Sequence, residues 1–206
     1  MASEIKANKI SPATGTAFTI GDSGDTFTVP SGCTIVNSGT ATGFGGGKII
    51  QVVSTTKTDT FSSAAASTWT DITDMTVTTA TLASTSSKVL VVLSIGDITN
   101  YTGHAGVKIV DGSGSDITDF IGDAGSSRTR ATSGSYYSNA NGGGVGHHIT
   151  MTVLDATTGS TTARTYKVQL HQAGGGTTYM NRCYNDSDNS QNYRGMSTIT
   201  AMEIGA

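Results

Sequence analysis

Five stretches of the chain carry residue types that could do chemistry, and each has to be weighed against the partners that chemistry requires. Gly21-Asp-Ser-Gly-Asp25 offers Ser23 as a hydrolase nucleophile, because Gly-Asp-Ser after an apolar strand presents an exposed hydroxyl. Such a serine needs a histidine to take its proton and an acid to orient that histidine. His104, His147, His148 and His171 all follow the serine, and none stands in an Asp-x-x-His arrangement, so the stretch reads as a turn. Gly45-Gly-Gly-Lys48 has the outline of a phosphate loop, but Thr42 stands where its first glycine belongs and Ile49 where the magnesium-binding hydroxyl belongs. His147 and His148 could ligate a metal. Adjacent residues on a strand point to opposite faces, so one chain brings one imidazole to any axis, and only a threefold axis would gather three. Asn185-Asp-Ser-Asp-Asn189 has the oxygen density of a calcium loop without the turn glycine or the bidentate glutamate, and reads as solvated. Asp111, Asp116, Asp119 and Asp123 are the carboxylates available for glycoside cleavage, yet they lie in or beside expected turns with no orienting partner. No catalytic residue, metal or cofactor is expected.

Recognition is the other chemistry on offer. Tyr, Ser, Gly and Asn together combine rigid amphipathic contact with adaptable hydrogen bonding, and two expected loops are built from them. The first spans 133–146 and contributes Tyr136, Tyr137, Asn139 and Asn141 as candidate receptor contacts. The second spans 184–194 and contributes Tyr184, Asn185, Asp186, Asp188 and Tyr193.

The elements that must position these loops are strands. The densest apolar run, 88–98, alternates Val89, Val91, Leu93 and Ile95 on one face with Leu90, Val92 and Ile98 on the other, the pattern of a central strand buried on both sides. Further strands are expected at 48–53, 68–72, 75–82, 105–110, 117–121, 128–132, 148–154, 165–171, 177–183 and 197–204. These predict an all-β head over residues 48–206, an antiparallel β-sandwich of jelly-roll type, with Trp69 in its core or as a plug between subunits. Residues 1–42 hold both prolines, Pro12 and Pro30, and short strand-like pieces at 4–10, 17–20, 26–29 and 34–36. So few apolar groups on pieces so short cannot close a core in one chain, and the segment reads as a stalk that docks and trimerises through other copies of itself. Gly43-Phe-Gly-Gly-Gly47 reads as a flexible hinge between the two.

Composition limits the partners. Charged residues are 13% of 206 and the formal charge is −3, so the basic footprint of nucleic-acid or anionic-membrane binding is missing. No apolar run reaches the roughly 20 residues of a membrane span, and the opening residues lack a signal peptide's apolar stretch. Cys33 and Cys183 are expected to be free.

Residues 1–16 with Phe18-Thr-Ile-Gly-Asp-Ser-Gly-Asp-Thr-Phe-Thr-Val-Pro-Ser-Gly32 resemble the start of many virion structural proteins of marine tailed bacteriophages. Lys48-Ile-Ile-Gln-Val-Val-Ser-Thr-Thr-Lys57, Ser86-Ser-Lys-Val-Leu-Val91, Gly122-Asp-Ala-Gly-Ser-Ser-Arg-Thr-Arg130 and Ser197-Thr-Ile-Thr-Ala-Met-Glu-Ile204 are similar to a domain that recurs in phage tail-fibre-like proteins. The resemblance spans the chain as an overall pattern rather than a sharp motif. It implies a non-catalytic homotrimer in the virion, assembled in the host cytoplasm, joined to other tail or capsid proteins and contacting a host glycan or protein. A capsid decoration protein and a glycan-binding or glycan-degrading module are the alternatives.

Overall fold

The computed structural model describes residues 10–34, 36, 48–100, 103–137, 145–156, 158–174 and 176–205. The chain divides into two units, Met1–Phe44 and Gly45–Ala206.

In the first unit the described residues form turns and no strand. The Asp25 amide donates to the Asp22 carbonyl at 3.0 Å and the Asp22 amide to the Asp25 carboxylate at 2.8 Å, so Gly21-Asp-Ser-Gly-Asp25 is a closed turn and no nucleophile elbow. The strand-like pieces at 17–20 and 26–29 make no strand pairing within this one chain, and of the pieces at 4–10 and 34–36 only Ile10, Thr34 and Val36 lie within the described residues. The physical reason is that a strand needs a neighbour's N–H and C=O groups, which this segment does not supply to itself. Ile10, Phe18, Ile20, Phe27 and Val36 are each at least half exposed.

The second unit is all-β. Its strands are β1 (Ile49–Lys57), β2 (Phe61–Ser63), β3 (Trp69–Thr78), β4 (Lys88–Asn100), β5 (Gly103–Asp111), β6 (Ser133–Tyr137), β7 (Val145–Asp155), β8 (Thr165–Ala173), β9 (Thr178–Met180) and β10 (Ser197–Ile204). They form two antiparallel sheets, β1-β10-β4-β7 and β3-β8-β5-β6, with β9 and β2 continuing the first beyond the end of β10. Leaving aside these two short strands, the order is first-eighth-third-sixth in one sheet and second-seventh-fourth-fifth in the other, which is jelly-roll connectivity. The core lies between the sheets. Val89, Val91, Leu93 and Ile95 of β4 meet Val107 and Ile109 of β5 and Val168 and Leu170 of β8, all fully buried.

Several expectations are corrected. Ile98 is buried with the odd-numbered residues of β4, because a bulge sets Gly96 and Asp97 against one residue of β7 and reverses the alternation. Gly96 is required there, since a Cβ would run into the Met196 backbone. The pieces expected at 68–72 and 75–82 are the one strand β3, interrupted between Asp71 and Thr76, where Asp74 takes a positive φ of 63°. Residues 117–121 hold a 3₁₀ turn at Thr118–Phe120 whose Phe120 ring packs 6.0 Å from that of Tyr166. Residues 128–132 form no strand; their polar groups bond locally and to β5 through Thr132.

The outward face of β1-β10-β4-β7 is almost without charge. One row across it reads Val52, Met202, Leu90, Leu154 and the next Ser54, Thr200, Val92, Thr152. Val52 is 57% exposed and Leu154 37%. Lys88, at the corner, is the one charge in register with these rows.

Candidate functional site

The outward face of the other sheet carries a groove of about 520 Å³. Its floor is a single cross-strand row, Trp69 on β3, His171 on β8, Gly106 on β5 and Gly134 on β6. A wide indole at one edge followed by two glycines leaves a hollow. Gly106 leaves room for the indole, because a Cβ there would come within 3.1 Å of the Trp69 ring carbon Cη2 and press the ring outward by a few tenths of an ångström. The indole is also met by His171 at 4.9 Å between ring centroids and by the Lys108 ammonium at 4.2 Å from the ring centre. Lys108 is neutralised by Asp116 at 2.7 Å.

The groove's outer wall comes from the 121–132 segment. The Gly122 amide bonds to the Ala131 carbonyl, the Arg130 guanidinium returns to the Gly122 carbonyl at 2.6 Å, and the Thr132 amide bonds to the Val107 carbonyl. That brace holds Arg128, Thr129 and Ala131 against the hollow, with His104 at its rim. Burial pushes the His171 pKa down, against a hydrogen bond with the Ser67 backbone that raises it, and the charge of Lys108 adds to the lowering.

Trp69 is thus not a core residue. Its parity on β3 turns it away from buried Ile72, and the outward face it shares with Asp71 is the one that carries the groove.

The predicted contact residues separate into different settings. Tyr136 and Tyr137 lie on β6, paired with His104 and Gly103, and not in a loop. Asn139 and Asn141 lie outside the described residues. Tyr184, Asn185, Asp186, Asp188 and Tyr193 share one folded loop whose ends are tied by the Gly195 amide on the Asn181 carbonyl. Asp186 holds that loop together, accepting from Arg194 at 2.6 Å and lying 3.5 Å from Arg182. The Arg182 guanidinium lies over the Tyr179 ring, against which half-buried Tyr184 sets its edge. Asn185, Asp188 and Tyr193 are exposed, Tyr193 by 75%. Asp186→Ala is expected to lower stability by about 1 kcal/mol and to speed tryptic cleavage after Arg182 and Arg194, read by melting and limited proteolysis.

At the opposite ends of β5 and β8 a second cavity, of about 390 Å³, brings Asp111 and Asp155 together with Arg164 and Tyr166, a grouping with no signature in sequence spacing. Tyr166 donates to Asp155 at 2.8 Å and Arg164 lies 3.4 Å from the same oxygen. Burial, and then the Asp155 hydrogen bond, push the Tyr166 phenol well above its usual range. The Ser113 hydroxyl, with nearby amides, holds Asp111 below the usual carboxylate range. A glycoside-cleaving acid must stay protonated near neutral pH, and Asp111 is pushed the other way.

His148 approaches the Gly96 carbonyl at 3.4 Å and Thr150 at 3.0 Å, and burial raises the pKa of neighbouring Asp97 against the charge of His147 and His148. Among the described residues no group of three such side chains could hold a metal ion. Cys33 and Cys183 are free. In comparison with known proteins, no family model and no curated sequence matches the chain.

Proposed function

We propose that the chain is a structural protein of a bacteriophage virion, a tail-fibre-like homotrimer that attaches to other virion proteins through its N-terminal segment and presents jelly-roll heads to the host surface. The observation that carries this reading is the first unit, where five large apolar side chains stand in water and no described residue pairs as a strand. Such a segment gains its missing strand partners and its missing core only from further copies. The uncharged outward face of β1-β10-β4-β7 supports association of copies, because a sheet face almost without charge can be buried against another chain with little cost of desolvating ions. The resemblance of residues 1–32 and of the head to phage virion proteins points the same way. The proposed role is non-catalytic.

The test joins mass and location. The full chain is expected to run as a trimer by native mass measurement, and residues 45–206 alone to lose most of that association. Antibody labelling of intact particles, imaged by electron microscopy, is expected to mark the tail. A full chain that stays a folded monomer overturns the trimer, and label spread over the shell lattice replaces receptor contact with capsid decoration.

A further inference from the structure

We propose that the groove over Trp69 binds a carboxylated saccharide, with the sugar ring against the indole and its carboxylate on Arg128. The groove is a property of the folded head, and the inference stands or falls independently of where the protein sits in a virion. Its volume of about 520 Å³ fits one or two sugar rings. The aromatic platform is already held in place, since Trp69 is met by the tilted His171 ring and lies in the space over Gly106. The glycine floor lets a ligand approach the backbone, and Thr129 and His171 line the hollow with hydrogen-bonding side chains.

Charge selects the class. No carboxylate lines the groove, and among the described residues no acidic side chain pairs with the exposed Arg128 guanidinium, whereas Lys108 is matched by Asp116. A planar guanidinium at the wall of an otherwise uncharged hollow is suited to a carboxylate held by two parallel hydrogen bonds. A neutral sugar would leave that donor fork unused.

Trp69 is the single tryptophan of the chain, so its emission reports on this groove alone. The experiment titrates the full chain with tetragalacturonic acid, with its methyl ester and with inorganic phosphate at matched ionic strength, following Trp69 fluorescence and heat. The acid is expected to shift the emission saturably, the ester to bind at least about tenfold more weakly, and phosphate to leave the emission unmoved. Arg128→Gln should weaken the acid by roughly tenfold and leave the ester within about twofold. Equal binding of acid and ester overturns the role of charge. Phosphate competing as well as the acid reduces the groove to a plain anion site, and no response to any saccharide overturns the proposal altogether. The acid–ester comparison on the unaltered chain decides the matter even if the variant proves unstable.

Discussion

Glu203→Ala is expected to lower the stability of the head by about 3 kcal/mol and its melting temperature by roughly 6–12 °C. Glu203 is 0% exposed and points between the sheets, where a lone carboxylate would be strongly disfavoured. It is kept charged by its surroundings. Gln51 Nε2 donates to one oxygen at 2.6 Å and the Ala83 amide to the other at 2.7 Å, while Gln51 Oε1 accepts the Ala80 amide at 2.8 Å. The carboxylate thereby fastens the 79–87 connection onto edge strand β1. Alanine leaves two partly buried donors, Gln51 Nε2 and the Ala83 amide, without their charged acceptor and opens a void beside them. Burial on its own would raise the Glu203 pKa, but the hydrogen bonds outweigh it and hold the pKa below the ordinary 4.5. A carboxyl with a depressed folded-state pKa contributes fully above the unfolded value and loses that contribution as pH falls through the folded one. The melting gap between parent and variant should therefore be widest at pH 7 and narrow as the pH is taken below about 4.5. A gap unchanged with pH would mean that Glu203 acts by shape alone.

The second large effect is on assembly. Val52→Glu with Leu154→Glu is expected to weaken the association of the proposed trimer at micromolar concentration and to leave the chain folded. Both side chains stand on the outward face of β1-β10-β4-β7, on the row that also holds Met202 and Leu90, so neither change reaches the core. Carboxylates brought together by symmetry on a desolvated face cost several kcal/mol, enough for a loss of more than about 100-fold in association. Native mass measurement reads the assembly and circular dichroism the fold. A trimer that survives both substitutions places the contact elsewhere, whereas loss of strand signal would mean that the face supports the fold itself.

Strand existence was legible in the sequence because a strand's side-chain period is two and entirely local. The alternation at 149–153 and 165–171 identifies β7 and β8, and the run beginning at Lys88 identifies β4 as the centre of its sheet. The same local rule failed wherever a partner strand decided the outcome. Ile98 reads by parity as sharing a face with Leu90 and Val92, yet it is buried with Val89 and Val91, because the bulge at Gly96 and Asp97 depends on β7. Residues 133–137 read as loop from their Ser, Gly and Tyr, yet they are β6, because β5 leaves an edge for them to pair with. The turns at 21–25 and 30–33 could be read directly, since their residues set the backbone without outside help.

The candidate site divides the same way. The tyrosine- and asparagine-rich stretches are compositional and visible, but composition could not tell that Asp186 braces its own loop between two arginines. The groove had no sequence signal. Trp69, Gly106, Arg128, Gly134 and His171 come from four strands and a connection, and no spacing along the chain encodes their meeting. They meet because jelly-roll connectivity places β3, β8, β5 and β6 side by side, and because register sets a tryptophan, a histidine and two glycines in one row. Local periodicity determined that this chain makes strands; long-range register decided which side chains share a surface, since hydrogen-bonded pairing between distant segments exists only once the sheet has formed.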